Sequence, residues 1–473
     1  MIYLLSKEIK QKLINIVGSE NFDDSQVGKL VYSYDATPKF QSMPDAVIAP
    51  RTTKEVSDIV KICNEHTIPI VPRGSGTNLC AGTCPTEGGV VLIFKHMNSI
   101  LEIDEENLTV TVQPGVITLD MINEVEAKGL FYPPDPSSMK ISTIGGNINE
   151  NSGGLRGLKY GVTRDYVIGL EVVLPNGEII HTGGKLAKDV AGYDLTRLMV
   201  GSEGTLGVIT EATLKLIPMP ESKMTMLAHY QDLEAAAKTV SSIIANKIVP
   251  TTLEFLDQPT LKVVEAYAQI GLPTNVLAVL LIEQDGPIEV VKRDMEKMAR
   301  LCEQEQAILV KIAASEEEAN DLRTARRAAL SALARLKPTT ILEDATVPRS
   351  EIAKMVRAIN EIAEKYQVNI CTFGHAGDGN LHPTCLTDVR NHEEMERVEK
   401  AFEEIFVKAI ELGGTITGEH GVGMMKAPYL ELKLGAAGIA AMKAIKDSFD
   451  PNNIMNPGKV FAKASRKRMA VTK

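Results

Sequence analysis

A chain of 473 residues is longer than one ordinary hydrophobic core sustains, so two or three domains are expected. A hydrophobic share of 44% and a charged share of 24% are those of a globular protein and exclude a disordered or fibrous chain. The formal net charge of -10 argues against nucleic acid as a partner, and no apolar run approaches the ~20 residues that span a bilayer.

Residues 1–40 read as a helical lead-in, because Ile9, Leu13, Ile16 and Val17 recur at helical spacing. The apolar residues 1–5 run straight into charge, which is not the pattern of a signal peptide, so a cytoplasmic protein is expected. From residue 46 to residue 218 short β-rich runs (47–49, 68–71, 90–93, 108–112, 170–174 and 208–210) alternate with glycine and proline. Helical stretches at 53–65 and 118–128 interrupt them. This is an α+β pattern rather than a regular βαβ alternation. Beyond Pro218-Met-Pro220 lie longer helical stretches at 232–245, 289–306, 316–336 and 349–366, with a strand at 276–282. They suggest a helix–strand sandwich over one face of the first region. Residues 434–460 hold one more helix, and Lys463, Arg466, Lys467 and Arg468 beyond it read as a solvated end. The six cysteines form no C-x-x-C run, so reduced thiols are expected and an iron–sulfur cluster is not.

Three glycine-rich segments stand out in the first half. Pro72-Arg-Gly-Ser-Gly-Thr-Asn78 follows a strand; successive backbone amides in such a loop make a positive concavity, and glycine lets a pyrophosphate approach. A Rossmann reading fails where Leu79 stands in place of a third glycine. The second segment, 133–138, leads into Thr143-Ile-Gly-Gly-Asn and on to Gly154, and the third is Gly201-Ser-Glu-Gly-Thr-Leu-Gly207. Together they suggest backbone wrapped round one extended ligand, with Ser, Thr and Asn supplying hydrogen bonds.

The second half carries a different chemistry. His375 and His382 flank a tight turn at Asp378-Gly379, with a strand before it and a return strand beginning at Leu381. Such a hairpin holds two imidazoles together without help from the rest of the fold. Gly418-Glu-His-Gly421 adds a carboxylate beside a third imidazole. His375, His382 and Glu419 suit a divalent metal, with zinc first and iron(II) or manganese tolerated by the same donors. His420 suits a proton acceptor, because neighbours on an extended segment point to opposite faces.

These segments resemble the flavin-binding half of the vanillyl-alcohol-oxidase/PCMH flavoproteins. The whole chain is similar to their FAD-linked 2-hydroxy-acid branch, which includes D-lactate dehydrogenases, the glycolate oxidase catalytic subunit and D-2-hydroxyglutarate dehydrogenase. The likeness runs from about Pro44 to Val460 and is carried by the G-x-G-T loop, Ile144-Gly-Gly-Asn, Gly201-Ser-Glu-Gly-Thr-Leu-Gly, Gly374-His-Ala-Gly-Asp-Gly-Asn-Leu-His and Gly418-Glu-His-Gly. It implies an α+β fold: a PCMH-type FAD-binding domain of two α+β subdomains at 41–219, and an α/β sandwich substrate domain at 220–415. A helical C-terminal segment, 416–473, returns to the flavin domain. It further implies that Arg73, Gly74, Ser75, Gly76 and Thr77 hold the FAD pyrophosphate. Ser142, Thr143, Gly145, Gly146, Asn151, Ser152 and Gly153 line the flavin and its linker, and Ile209 sits near the adenine end. Gly82, Pro136, Glu203, Gly204 and Asn456 complete the cofactor set. The pyrophosphate loop lacks the histidine that some relatives use for covalent attachment, so non-covalent FAD is expected, and Cys80 is expected as a small buried apolar residue.

The resemblance places a substrate-carboxylate arginine at Arg326; Arg323 and Arg327 are expected as solvated surface charges, and the role of Arg335 stays open. The expected reaction is hydride transfer from a small D-2-hydroxy acid to FAD N5, with the metal polarising the hydroxyl and His420 taking its proton. D-lactate is the first expectation and glycolate the next. Thr384 stands where hydroxyglutarate-type enzymes have asparagine, and Leu342 and Leu330 stand where they have polar partners for a distal carboxylate. Electrons are expected to leave to an electron-transfer flavoprotein, or to an iron–sulfur subunit. Two other readings stay open: a metal-dependent hydrolase built on the histidine pair, and a non-catalytic flavin subunit of a larger complex.

Overall fold

The computed structural model describes residues 5–38 and 40–461, so the basic tail residues Lys463, Arg466, Lys467 and Arg468 lie outside the described residues. No helix among the described residues is long and apolar enough to cross a membrane.

The first half builds two small α+β units. A four-stranded sheet runs Phe22–Asp23, Ala46–Ile48, Val90–Ile93, Ile70–Arg73, with its last three strands parallel. Helix Thr53–Glu65 covers it, burying Val56, Ile59, Val60 and Cys63 at helical spacing and starting where the Thr52 hydroxyl accepts from the Glu55 amide. A five-stranded antiparallel sheet follows, ordered Ile100–Asp104, Thr109–Val112, Val208–Lys215, Val167–Val173, Ile179–Gly183. Helices Thr118–Glu126 and Ile144–Glu150 pack on it through Met121, Ile122, Ile144 and Ile148.

The second half is one antiparallel sheet between two helical layers. Its order is Leu309–Ile312, Ser222–Tyr230, Ala278–Gly286, Thr252–Asp257, Ile370–His375, Asn380–Thr387, Thr339–Leu342. One face carries helices Leu233–Ala245, Ile288–Gln304, Ile352–Tyr366 and His392–Glu411. The other carries Gln258–Ala268, Glu316–Arg327 and Ala329–Leu333, so the stretch expected as one helix over 316–336 is two. Strand Thr252–Asp257 alternates accordingly: Leu253 and Phe255 join the first layer, and Leu256 joins the second.

The halves meet along a polar seam. Lys159 Nζ lies 2.5 Å from Asp285 Oδ1, and Arg327 Nη2 donates to Asp135 Oδ2 at 2.7 Å. The C-terminal helix Leu430–Phe449 then hands the chain back to the first half, where the Ile70 amide donates to Ile454 O and the Asn456 amide donates to Ile70 O, both at 2.7 Å.

Candidate active site

A cavity of about 1140 Å³ opens along the seam, larger than the ~300–1,000 Å³ usual for small-molecule sites. Of the residues assigned to the cofactor, all but Asn151 and Asn456 line it. Those two stand behind the wall. Asn151, in the left-handed region, accepts from the Arg164 amide, while the Asn456 side chain donates to Gly82 O and Glu203 O.

At some glycines of this wall a side chain cannot fit. A Cβ on Gly74 would fall 2.2 Å from Thr143 Oγ1, and Gly76, at φ +70, would place one 2.2 Å from Arg73 Nη2. Arg73 is buried, donates through Nη1 to Tyr34 O at 2.7 Å, and keeps a buried Nε with no protein partner. A long cavity walled by glycine backbone, with an unsatisfied guanidinium edge, fits an extended anionic cofactor such as FAD.

At the other end of the same cavity lie His375, His382, Glu419 and His420. Strand register brings the histidines together: Phe373 pairs with His382 and His375 with Asn380, so Phe373, His375 and His382 project from one face. Glu419 Oε1 is 3.0 Å from His375 Nε2 and 3.2 Å from His382 Nε2. The ligand atoms of these three residues lie within 4.8 Å of one another. His420 stacks on His382 with ring centroids 5.0 Å apart, its Nε2 3.6 Å from Glu419 Oε1. Two imidazoles and a carboxylate converging on one point are a donor set for a divalent cation.

The electrostatics follow from burial and from this crowding. Burial works against a charged His375, yet the Glu254 and Glu419 carboxylates outweigh it and hold the imidazole well above its ordinary value. His382 goes the other way: burial, aided by neighbouring His420, brings it down to about 4 against the pull of Glu419. Burial alone would raise Glu419, but His375 and the hydrogen bonds from the histidines keep it well below the usual carboxylate range.

Two carboxylates that motif reasoning missed organise the cluster. Glu254, fully buried, places Oε1 2.6 Å from His375 Nδ1 and Oε2 2.5 Å from Arg326 Nη2. Its signal was a carboxylate between the apolar residues Leu253 and Phe255 of strand Thr252–Asp257. Asp344, also fully buried, accepts through Oδ2 from Thr417 Oγ1 at 2.8 Å and from the amides of Gly418, Glu419 and His420 at 2.8, 2.9 and 3.0 Å. Burial opposes its ionisation, but Lys426 and His420 reverse that and hold it well below the ordinary range. Three successive amides on one oxygen aim both Glu419 and His420.

Arg326 is buried, lines the cavity and lies over the Phe373 ring at 4.8 Å. Its neighbours are not the solvated charges expected of them. Arg323 is 6% exposed and ion-paired with Glu283 and Glu316, and Arg327 lines the cavity and binds Asp135. Their helix packs on the sheet, and buried guanidinium groups need carboxylate partners there. Arg335 lies away from the cavity, over the Tyr267 ring. Leu330, Leu342 and Phe373 give the cavity an apolar wall, whereas the Thr384 hydroxyl is spent on His382 O at 3.1 Å. Cys80 is buried as expected, but in polar company: its Sγ lies 3.7–3.8 Å from the Glu150 carboxylate oxygens.

Known proteins fit this arrangement. Residues 44–183 match the FAD binding domain family, and residues 219–460 match the C-terminal domain of FAD linked oxidases. The chain is 76% identical over 466 residues to the glycolate oxidase subunit GlcD of Bacillus subtilis (strain 168), covering 98% of this chain and 99% of that one. It is 37% identical over 468 residues to a D-lactate dehydrogenase of Anaerostipes hadrus, covering 97% and 96%. In fold it resembles p-cresol methylhydroxylase with substrate bound, at a TM-score of 0.80 and 20% identity over 96% of each chain. The chain is therefore an FAD-binding oxidoreductase that belongs to the FAD-linked D-2-hydroxy-acid dehydrogenase branch of the vanillyl-alcohol-oxidase/PCMH flavoprotein family.

Proposed function

We propose that this protein is an FAD- and metal-dependent dehydrogenase that oxidises a small D-2-hydroxy acid, D-lactate or glycolate, to the 2-oxo acid. Residues 41–219 form its flavin domain, 220–415 its substrate domain, and 416–473 the segment that returns to the flavin domain. One observation carries the reading: the glycine-walled cofactor cavity and the His375–His382–Glu419 cluster are the same cavity. The names of the relatives, a glycolate oxidase subunit and a D-lactate dehydrogenase, support the substrate class.

When bound, non-covalent FAD supplies the hydride acceptor, and a divalent cation on His375, His382 and Glu419 supplies electrostatic stabilisation for the substrate oxygen. His420 receives the hydroxyl proton, and stacking on His382 holds its ring in place. Arg326, whose buried Nε has no protein partner, binds the substrate carboxylate. Leu330, Leu342 and Phe373 suit a hydrogen or methyl substituent. A second carboxylate among them would lose its hydration for no partner, at a cost of several kcal/mol. Electrons then leave to an electron-transfer flavoprotein or an iron–sulfur subunit. A relative that is itself named as a subunit supports a separate acceptor.

The test is the visible spectrum of the purified protein with metal analysis of the same sample. D-lactate and glycolate are expected to bleach the flavin absorbance anaerobically, D-2-hydroxyglutarate to do so far more slowly, and one divalent metal to accompany each chain. A yellow protein that neither small acid bleaches would overturn the proposal.

A further inference from the structure

Glu254 places one carboxylate oxygen against the proposed metal cluster and the other against Arg326, and its place is unusual. It projects from strand Thr252–Asp257 into the layer that holds Leu256, Leu261 and Phe373, and it is 0% exposed. A carboxylate placed there without partners would carry a large desolvation cost. Each oxygen has one close partner: Oε1 shares a hydrogen bond with His375 Nδ1 at 2.6 Å, and Oε2 forms an ion pair with Arg326 Nη2 at 2.5 Å without the alignment of a hydrogen bond.

We infer that Glu254 is a positioning residue that fixes the tautomer of His375 for metal binding and, with its other oxygen, the orientation of Arg326 toward the substrate. This rests on the metal reading proposed above. A neutral imidazole has one proton for two nitrogens. His375 Nε2 faces Glu419 and the cluster, so ligation through Nε2 requires the proton on Nδ1, and that proton needs an acceptor. Glu254 Oε1 is that acceptor. The simpler alternative is that Glu254 only neutralises the buried Arg326, in which case metal affinity is indifferent to what faces Nδ1.

The two accounts separate in paired variants that both remove the Arg326 charge. A single Glu254→Gln change is ambiguous, because both neighbours are donors and the amide has one oxygen; it also leaves a guanidinium buried without its counter-charge. In E254Q/R326M the Gln oxygen is free to accept from His375 Nδ1. In E254M/R326M nothing accepts from it. Zinc affinity is measured on the flavin-loaded proteins by chelator competition, with thermal unfolding as the check on folding. E254Q/R326M is expected to bind zinc within a few fold of wild type, and E254M/R326M roughly 10–100-fold more weakly. Equal zinc affinity in the two double variants, in a wild type that binds zinc, overturns the inference and leaves the metal reading standing. A wild type that takes up none of zinc, iron(II) and manganese overturns both. Independently of folding in the variants, 15N-histidine spectra of the zinc-loaded wild type are expected to report the His375 proton on Nδ1; a proton on Nε2 overturns the inference.

Discussion

Gly153 and Glu419, far apart in sequence, meet so closely that a Cβ on the glycine would lie 2.5 Å from Glu419 Oε2 and 3.3 Å from its Cβ. The glycine-rich wall and the His375–His382–Glu419 cluster thus share a boundary at which an added methyl group would collide. Gly153→Ala must push the Glu419 carboxylate away from the histidines. Because misplacement of about 1 Å can cost ~100-fold in rate, kcat/KM for D-lactate should fall by about that factor. Bound flavin and thermal stability should change little. Steady-state dye reduction beside a flavin:protein absorbance ratio checks this, and unchanged turnover would show that Glu419 has room to spare.

Asp344 gives a prediction about folding as well as activity. Its Oδ2 collects the Thr417 hydroxyl and three backbone amides, and Lys426 Nζ lies 3.6 Å away. Asp344→Ala removes an acceptor that four donors share and the nearer of two carboxylates beside buried Lys426, the other being Glu343 at 3.9 Å, a loss on the order of 3–5 kcal/mol. Asp344→Asn keeps the shape and should cost less, about 1–3 kcal/mol. Both should release metal, because Glu419 and His420 lose their common anchor. Urea unfolding and metal content after dialysis measure the two effects.

Leu342 and Leu330 form part of the apolar wall, and the family resemblance sets them against a lysine and a threonine of hydroxyglutarate-type enzymes. The pair Leu342→Lys and Leu330→Thr should raise kcat/KM for D-2-hydroxyglutarate relative to D-lactate by at least ~10-fold, equivalent to about 1.4 kcal/mol of differential binding. Parallel kinetics with both acids decide it; an unchanged ratio would mean that the distal end of the substrate lies elsewhere.

The pH dependence of stability has a source outside the site. Asp257 is buried and pushed up to about 6 by desolvation, against hydrogen bonds from Thr260 and Thr372. Its unfolded value is near 4. Between those values the folded form keeps a proton that the unfolded form has lost, so this group favours folding at low pH. That contribution declines as pH rises from about 4 to about 6, by an amount on the order of 3 kcal/mol. Urea midpoints for wild type and Asp257→Asn should therefore diverge across this window, with wild type losing stability relative to the variant as pH rises. A constant difference between the two would show that Asp257 does not titrate there.

Much of the site was readable before any coordinates because its pieces are local. The histidine pair sits on one hairpin, so strand alternation brings His375 and His382 to one face within a dozen residues; the connection is four residues, Ala376 to Gly379 with a 3-10 turn, rather than the expected two-residue turn, and the return strand starts at Asn380. The glycine segments are equally local: bare backbone is a property of composition, and it marks the cofactor wall wherever the chain folds. Helix Thr53–Glu65 was legible to the residue, since its cap and apolar period are both written in the segment.

Partner choice was not readable. Nothing near Glu254 in the chain announces that it will bridge His375 and Arg326, and nothing near Asp344 announces that it will gather the amides of 418–420. Arg323 and Arg327 look like surface charges on a polar helix, yet they are tied to Glu283 and Asp135 from other elements. The reason is physical: a hairpin or a helix face is set by backbone geometry over a few residues, whereas the partner of a buried charge is whatever distant strand the finished packing brings within ~3 Å. Composition and short-range period reveal which chemistry the chain carries; only the finished tertiary packing, within the second half and across the seam, assigns each charge to its neighbour.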